Sequence, residues 1–419
     1  VNEIYRDRMF YRFALYGFLK NLKFYEPFII LYFLSIGLSY AMIGVLISIR
    51  MMSTTVLELP TGIYADSFGR KRSMVMSFLS YIMSFALFFI FRDFYIFAMA
   101  MILYALGDAF RTGTHKAMIM EYLQINSMQG KKVEYYGHTR AASQFGSAVN
   151  SLIAAAIVFH TGNYAIIFLI AIIPYGIDIL NVGTYPAELD GMHNRNRTGM
   201  GKQMRGTLKA FAGMLRNRNA LRGMANSSLF DGSFEVSKNY LQPILKSFAI
   251  SLPVMLFLTG KERTAVVVGI TYFFIYLLTS LASKNSYKLI KRTGNLSLAI
   301  NATLAGGILI TSMTGIFLLA MERTGINFII MVLISLFIAL YLLKNVRRPM
   351  NVSYISNRIS SETMASGLSI ESLMKTLVAA ILAPLIGYTA DLYGVGIALV
   401  VLGVMMAALY PVASVRQVA

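Results

Sequence analysis

The sequence predicts an all-α membrane protein of twelve transmembrane helices arranged in two halves, and three observations predict it. Hydrophobic residues make up 57% of the chain and charged residues only 14%, with a mean hydropathy of +0.62; soluble domains carry ~25% charged residues. The chain divides into a dozen mainly apolar stretches, each near the ~20 residues that a helix needs to cross a bilayer. Segments of the first half also have counterparts in the second. Arg111–Glu121 aligns with Arg347–Asn357, and Tyr25-Glu26-Pro27 with Leu241-Gln242-Pro243.

These proportions exclude a single soluble core. The formal net charge of +19 would suggest nucleic acid in a soluble protein. In a membrane protein Lys and Arg gather in cytoplasmic loops, which accounts for the excess, so no nucleic-acid partner is expected. Cysteine is absent, which rules out disulfides and thiolate metal sites. His115, His138, His160 and His193 are scattered without ligand spacing, so no metal is expected and packing or loop roles suit them better. No Gly-Lys-Ser phosphate loop appears, and no cofactor is expected. The N-terminus lacks a short apolar core followed by a small-residue cleavage site, and its first stretch is long enough to remain as a span.

In order, the spans are predicted near 13–37, 40–60, 73–91, 94–121, 139–160, 163–183, 223–247, 264–283, 296–320, 326–355, 366–388 and 393–414. The one long polar stretch carries Arg195, Arg197, Lys202, Arg205, Lys209, Arg216, Arg218 and Arg222, with Asp190 as the acid beside them. It separates a first half at 1–185 from a second at 222–419, leaving a linker at 186–221. Residues 201–216 are amphipathic enough to lie as a helix on the membrane surface. Arg6, Arg8, Arg70 to Arg72, Lys131, Lys132, the linker, Lys284 to Arg292 and Arg358 fall on one side. The opposite loops hold only Arg92, Asp93, Lys261, Glu262, Arg263, Glu322, Arg323 and Asp391. The positive-inside rule therefore puts both termini in the cytoplasm of a multi-pass cell-membrane protein.

Between the second and third spans, Leu59–Arg72 reads LPTGIYADSFGRKR. Gly62 and Gly69 allow close backbone approach and a sharp turn. Asp66 is the only acid, and Arg70, Lys71 and Arg72 cluster where the chain leaves the lipid. This order resembles the signature loop of the major facilitator superfamily, G-x-x-x-D-x-x-G-R-[KR]-[KR], which joins the second and third transmembrane helices of that family. A decayed copy after the eighth span, Ser283–Gly294, keeps the bases and lacks the Asp. The resemblance extends over the chain. It implies two pseudo-symmetric six-helix bundles, with a substrate near the midplane and halves that rock to expose it alternately.

The resemblance also implies a gating role for the loop. Asp66 is expected near the N-terminus of the eleventh span, where the helix dipole favours an anion. Arg70 is expected to reach Glu121 at the base of the fourth span. Glu58, before Pro60, is expected to pair with Arg111 or Arg140. Gly62, Asp66, Gly69, Arg70, Arg72, Glu58 and Glu121 thus form the expected gating set, whose contacts hold one state and break in the other.

Ionisable groups inside spans are costly and are functional candidates by default. The first span carries Lys20, Asn21, Lys23 and Glu26 before Pro27, which bends a helix and can open a polar site. Lys23 and Glu26 are spaced to pair on a helix, so Glu26 is open to a cavity role or to neutralisation. The fourth span has Asp108 and Arg111, either a substrate or coupling element or a pair neutralised within one helix. The aligned positions in the second half are Lys344 and Arg347. On the seventh span, Asp231 and Glu235 lie one turn apart. Two such carboxylates in low dielectric cannot both ionise cheaply, which is what a proton-coupling site needs, although Lys238 can pair with Glu235. Asn239 shares that face. Glu371 and Lys375 on the eleventh span are spaced as a favourable pair.

These readings converge on an expectation for function. The chain is expected to be a non-enzymatic, monomeric secondary transporter of a small organic solute, driven by protons or another coupling ion. Asp231, Glu235, Asp108 and Glu26 are the proton-carrier candidates. Asn21, Lys23, Arg111, Lys238, Asn239, Lys344, Arg347, Glu371 and Lys375 are the cavity candidates. Export is favoured by the abundance of Met, Tyr and Phe, which fill helix interfaces and can line an adaptable pocket. The fifth span, from Ser143 to Ala156, lacks the Gly-Pro motif common in drug antiporters of the resembled family. Uptake of an organic anion is the alternative, and a non-transporting receptor of the same fold is a third.

Overall fold

The computed structural model describes residues 7–190, 218–284, 286–324, 328–358 and 364–416. The surface helix expected at 201–216, with most of the linker's basic residues, lies outside them. Among the described residues the secondary structure is helical throughout. In chain order the helices are α1 (Arg8–Leu19), α2 (Ile29–Ser35), α3 (Tyr40–Phe68), α4 (Arg70–Ile90), α5 (Phe94–Arg111), α6 (Thr114–Ile125), α7 (Lys132–Thr161) and α8 (Ile166–Gly183). After the linker come α9 (Arg218–Ser237), α10 (Leu241–Ser251), α11 (Gly260–Lys284), α12 (Ser286–Thr293), α13 (Leu296–Thr324), α14 (Phe328–Ser356) and α15 (Met364–Ala413).

Among the described residues, 9 helical stretches are long and apolar enough to cross a membrane. The last of them, Ile370–Ala413, divides at Gly394, whose φ of 85° no continuous helix contains. The first and seventh predicted spans are apolar but interrupted, as α1 with α2 and α9 with α10. The fold is thus the expected all-α membrane architecture of twelve spans in two pseudo-symmetric bundles.

The chain forms two compact units. One is drawn from the described residues within Val1–Tyr32, Ile49–Arg197 and Val254–Tyr276; the other from those within Phe33–Ser48, Thr198–Pro253 and Leu277–Ala419. In the first unit an aromatic core surrounds Tyr81, which meets Phe85, Tyr104 and Tyr175 with ring centroids 5.0–6.2 Å apart. In the second, Ala299, Ile300, Met350, Tyr354 and Val415 form a buried cluster at the basic end of the spans, and α12 lays Leu289 and Ile290 on it.

Three segments depart from the expected spans. The first span is not a bent helix: the backbone from Lys20 to Phe28 unwinds into turns between α1 and α2. Pro27 contributes by removing one donor, and Asn21 caps the end of α1 by donating to the Gly17 carbonyl at 2.6 Å. Lys23 and Glu26 are therefore brought together by a turn, the Glu26 N–H donating to the Lys23 carbonyl at 2.8 Å, and not by a helix. The fourth span breaks at Thr112–Gly113 between α5 and α6. The seventh narrows to a 3-10 turn over Lys238–Tyr240, so Pro243 sits in the first turn of α10, where its missing N–H has no cost.

Candidate functional site

The signature loop is largely helical. α3 continues through Pro60 to Phe68, so Gly62 lies on a helix, and a Cβ there would meet nothing within 4 Å. The close approach expected at Gly62 does not occur. The turn is made by Gly69 alone, at φ 102°. A Cβ on Gly69 would fall 2.7 Å from both carboxylate oxygens of Asp190. That carboxylate accepts from the Lys71 N–H at 2.7 Å, and the Lys71 ammonium donates to the Tyr185 carbonyl at 2.6 Å. α4 has no side-chain cap of its own, and Asp190 supplies one from the far end of the unit. Asp190 was legible only as a linker acid, because its partner is more than a hundred residues away.

Arg70 reaches Glu121, with Nη1 3.3 Å from Oε2. Asp66 is exposed and makes no ion pair among the described residues; residues 359–363, just before the eleventh span, lie outside that set. Arg72 is exposed. Glu58 pairs with neither Arg111 nor Arg140. Arg111 is taken by Asp108, and Arg140 is exposed.

In the first unit, Asp108 and Arg111 form a pair at 3.0 Å, spaced three residues apart on α5. Tyr81 of α4 closes the group by donating to Asp108 at 2.5 Å, and Arg111 Nε donates to the Tyr81 hydroxyl at 3.2 Å. Sequence spacing could find the pair but not Tyr81, which arrives from the neighbouring helix. Beside it, the Tyr25 and Tyr104 hydroxyls lie 2.8 Å apart, and the Arg50 guanidinium sits over the Tyr104 ring at 5.3 Å. The unwound segment is held from two sides: Asn150 of α7 donates to the Lys23 carbonyl at 3.2 Å, and Tyr175 of α8 to the Lys20 carbonyl at 3.3 Å. The Lys20 ammonium lies over the Tyr16 ring at 5.2 Å, and Lys23 and Glu26 are half-buried on the same segment. His115 is a packing residue, stacked on Tyr16 with centroids 3.6 Å apart. Asp178, missed in the sequence, is fully buried on α8. Asn181 reaches its Oδ1 at 3.5 Å, and its Oδ2 has no hydrogen-bond partner among the described residues.

In the second unit, Glu235 of α9 is the centre. Its two oxygens accept from Lys238 at 2.5 Å and from Lys344 of α14 at 2.7 Å. Lys344 also lies over the Phe234 ring at 4.3 Å. Asp231, one turn earlier, pairs with Lys375 of α15 at 3.7 Å. The Glu371–Lys375 pair expected from helical spacing therefore does not form. Lys375 turns to Asp231, while Glu371 accepts from the Ser227 hydroxyl, which in turn accepts from Asn351 at 3.1 Å. Asn239 is spent on the helix end, donating to the Glu235 carbonyl at 2.9 Å. Two lysines from other helices and one from the turn after α9 thus serve two carboxylates on the helix that breaks immediately afterwards.

Arg347 is not with them. It is completely buried and donates to the Ile300 carbonyl at 2.8 Å, to Thr303 Oγ1 at 2.6 Å and to Asn226 Oδ1 at 2.6 Å. The Phe230 ring covers it at 4.5 Å. Every one of these partners is uncharged, and the guanidinium ties α9, α13 and α14 together. The alignment with Arg111 placed Arg347 among the cavity cations, whereas its side chain runs into helix packing.

Among the described residues no group of His, Cys, Asp and Glu is arranged to hold a metal ion. Glu235 and Asp231 each hold a lysine from another helix, so protonating either one frees a lysine and loosens an interhelical tie.

A family model described as Major Facilitator Superfamily matches residues 13–381. An uncharacterized MFS-type transporter of Bacillus subtilis (strain 168), YxaM, is 32% identical over 107 residues, which span 25% of this chain and 26% of that protein. The crystal structure of the nucleoside transporter NupG superposes with a TM-score of 0.72 at 15% identity, covering 96% of each chain. A POT family transporter in complex with 5-aminolevulinic acid gives a TM-score of 0.69 at 14% identity, covering 97% of this chain and 95% of that one. At such identities the two structures share the fold.

Proposed function

This chain belongs to the Major Facilitator Superfamily and is a membrane transporter, and from that premise we propose that it moves a small organic solute by alternating access, coupled to protons and in the direction of export. The observation that carries the coupling is the Glu235 group. Its carboxylate holds one lysine from the turn that follows its own helix and one from α14, beside Asp231 and its own lysine. A proton taken up by Glu235 removes the attraction for both Lys238 and Lys344. A solute site bordered by those lysines then changes charge and packing together, which is the link that coupling requires. Asp108, paired to Arg111 and Tyr81 on a single bundle wall, is the second proton site, and Glu26 on the unwound segment the third. The broken first and seventh spans support a solute site there, because interrupted helices at corresponding places mark binding regions in this class of fold.

Export draws on the aromatic and Met-rich interior. Uptake of an organic anion is the second reading, favoured by three lysines facing two ion-paired carboxylates. The burial of Arg347 removes one of the cations on which that reading drew. The basic loops support a cell-membrane location with both termini cytoplasmic, and a monomer suffices for the cycle. The deciding experiment is flux in proteoliposomes under an imposed pH gradient. Proton-driven movement should be present in the native protein and lost in Glu235→Gln or Asp231→Asn. Flux that is indifferent to the gradient in the native protein would overturn the coupling.

A further inference from the structure

The end of the spans away from the basic loops carries few charges, and most have local duties. Asp93 caps α5 through the Tyr95 and Ile96 N–H groups at 2.9 and 3.0 Å. Glu262 and Thr259 form a capping box at the start of α11. Asp391 and Lys261 instead hydrogen-bond to the backbone of other spans. Asp391, beyond the eleventh span, accepts from the Tyr40 N–H with one oxygen and from the Ala41 N–H with the other, each at 2.8 Å. It thereby caps the N-terminus of α3, the second span. Lys261, at the start of the eighth span, donates to the Gly162 carbonyl at 2.9 Å, at the C-terminus of α7, the fifth span. An acid sits on a helix N-terminus and a base on a helix C-terminus, each the sign that the helix dipole favours.

Both crossings are tight. A Cβ on Gly387 would lie 2.4 Å from the Tyr40 carbonyl oxygen, and one on Gly44 2.3 Å from that of Ala383. A Cβ on Gly269 would lie 2.3 Å from the Ala155 side chain. Between the second and eleventh spans there is also a shared hydrogen bond. Pro384 has no N–H, so the Ala380 carbonyl, one turn earlier, lacks its helical donor. The Ser48 hydroxyl lies 2.6 Å from that oxygen and 2.9 Å from the Gly44 carbonyl of its own helix. Ser48 can serve Ala380 only while the two spans touch, and returns to Gly44 when they part.

We propose that Asp391 and Lys261, with Ser48 as the intervening clasp, are the latches that hold this end of the transporter shut, and that opening toward the outside begins with their release. The proposal rests on the alternating-access reading above and extends it to residues outside the signature loop. Asp66 would act at the basic ends of the second and eleventh spans, and Asp391 acts at their opposite ends.

The test uses the absence of native cysteine. Cysteines introduced at the exposed Tyr95 and Leu392 take spin labels, and the distance distribution in nanodiscs reports open and closed populations of this end. Asp391→Ala should raise the open-to-closed ratio roughly five- to tenfold, the worth of one helix cap, and Lys261→Gln should act in the same direction. Ser48→Ala, a mild change that leaves the Gly contacts intact, should also raise the ratio and serves as the check if Asp391→Ala folds poorly. If pH or solute moves the native distribution but none of the three variants does, the latches are refuted and alternation stands. A native distribution that never moves would remove the alternating-access reading and the latches with it.

Discussion

Replacing Arg347 separates a structural cation from a solute-binding one. The side chain is completely buried and gives three short hydrogen bonds, to Ile300, Thr303 and Asn226, with Phe230 stacked on its face. Bonds from a charged donor contribute about 1.5–3 kcal/mol each before desolvation is counted, and a desolvated cation–π contact adds about 1–2 kcal/mol. Burying a guanidinium cancels part of this. Leaving a buried neutral acceptor without its donor costs about 1–3 kcal/mol for each acceptor. In Arg347→Ala, Asn226 Oδ1 and Thr303 lose their donor and a cavity opens beside Phe230, so a loss of about 4 kcal/mol is expected. Melting followed by fluorescence in detergent or nanodiscs should show Tm lower by on the order of 10 °C. The protein that remains folded should keep its solute-induced stabilisation. The reasoning is refuted if Arg347→Ala melts like the native protein and loses that stabilisation, for then the guanidinium meets solute rather than helices.

Further outcomes follow from the other contacts. Tyr81→Phe removes the hydroxyl shared by Asp108 and Arg111 and should lower stability by about 1–2 kcal/mol; a melt unchanged by the substitution would argue against a closed triad. Gly69→Ala meets both a positive φ and the Asp190 carboxylate, and should cost about 1–2 kcal/mol, with most of the contact relieved in the double variant with Asp190→Ala. Additive losses in that pair, read by the same melts, would show that the two residues do not meet. Neutralising Asp66 should shift the labelled populations toward opening of the basic end, and an unchanged distribution in Asp66→Asn would remove Asp66 from the gating set.

The spans were legible because hydropathy is a sum over ~20 residues and tolerates local error. The Arg70–Glu121 contact could be anticipated because the resembled signature loop implies an acid at the base of the fourth span for Arg70 to reach. What failed was reasoning by spacing along a single helix. Glu371 and Lys375 have the right interval, yet Asp231 of another helix offers Lys375 its carboxylate. The roles of Tyr81 and Asp190 depend on partners brought by tertiary packing, which no local pattern encodes. Arg347 shows the limit of repeat alignment: the aligned backbones correspond, but Asn226 and Thr303 have given one copy of the cation a different environment.

The seat of Asp190 on the signature loop has a mechanical consequence. The sixth span ends at Gly183, but the chain beyond it is pinned again at Gly69 and Lys71 within the first residues of the linker. A pull on the linker is therefore delivered to the first turn of the third span, beside the Arg70–Glu121 pair, and not to the end of the sixth. A binding partner or modification that shortens or stiffens the linker gains leverage on the turn between the second and third spans without touching the solute path.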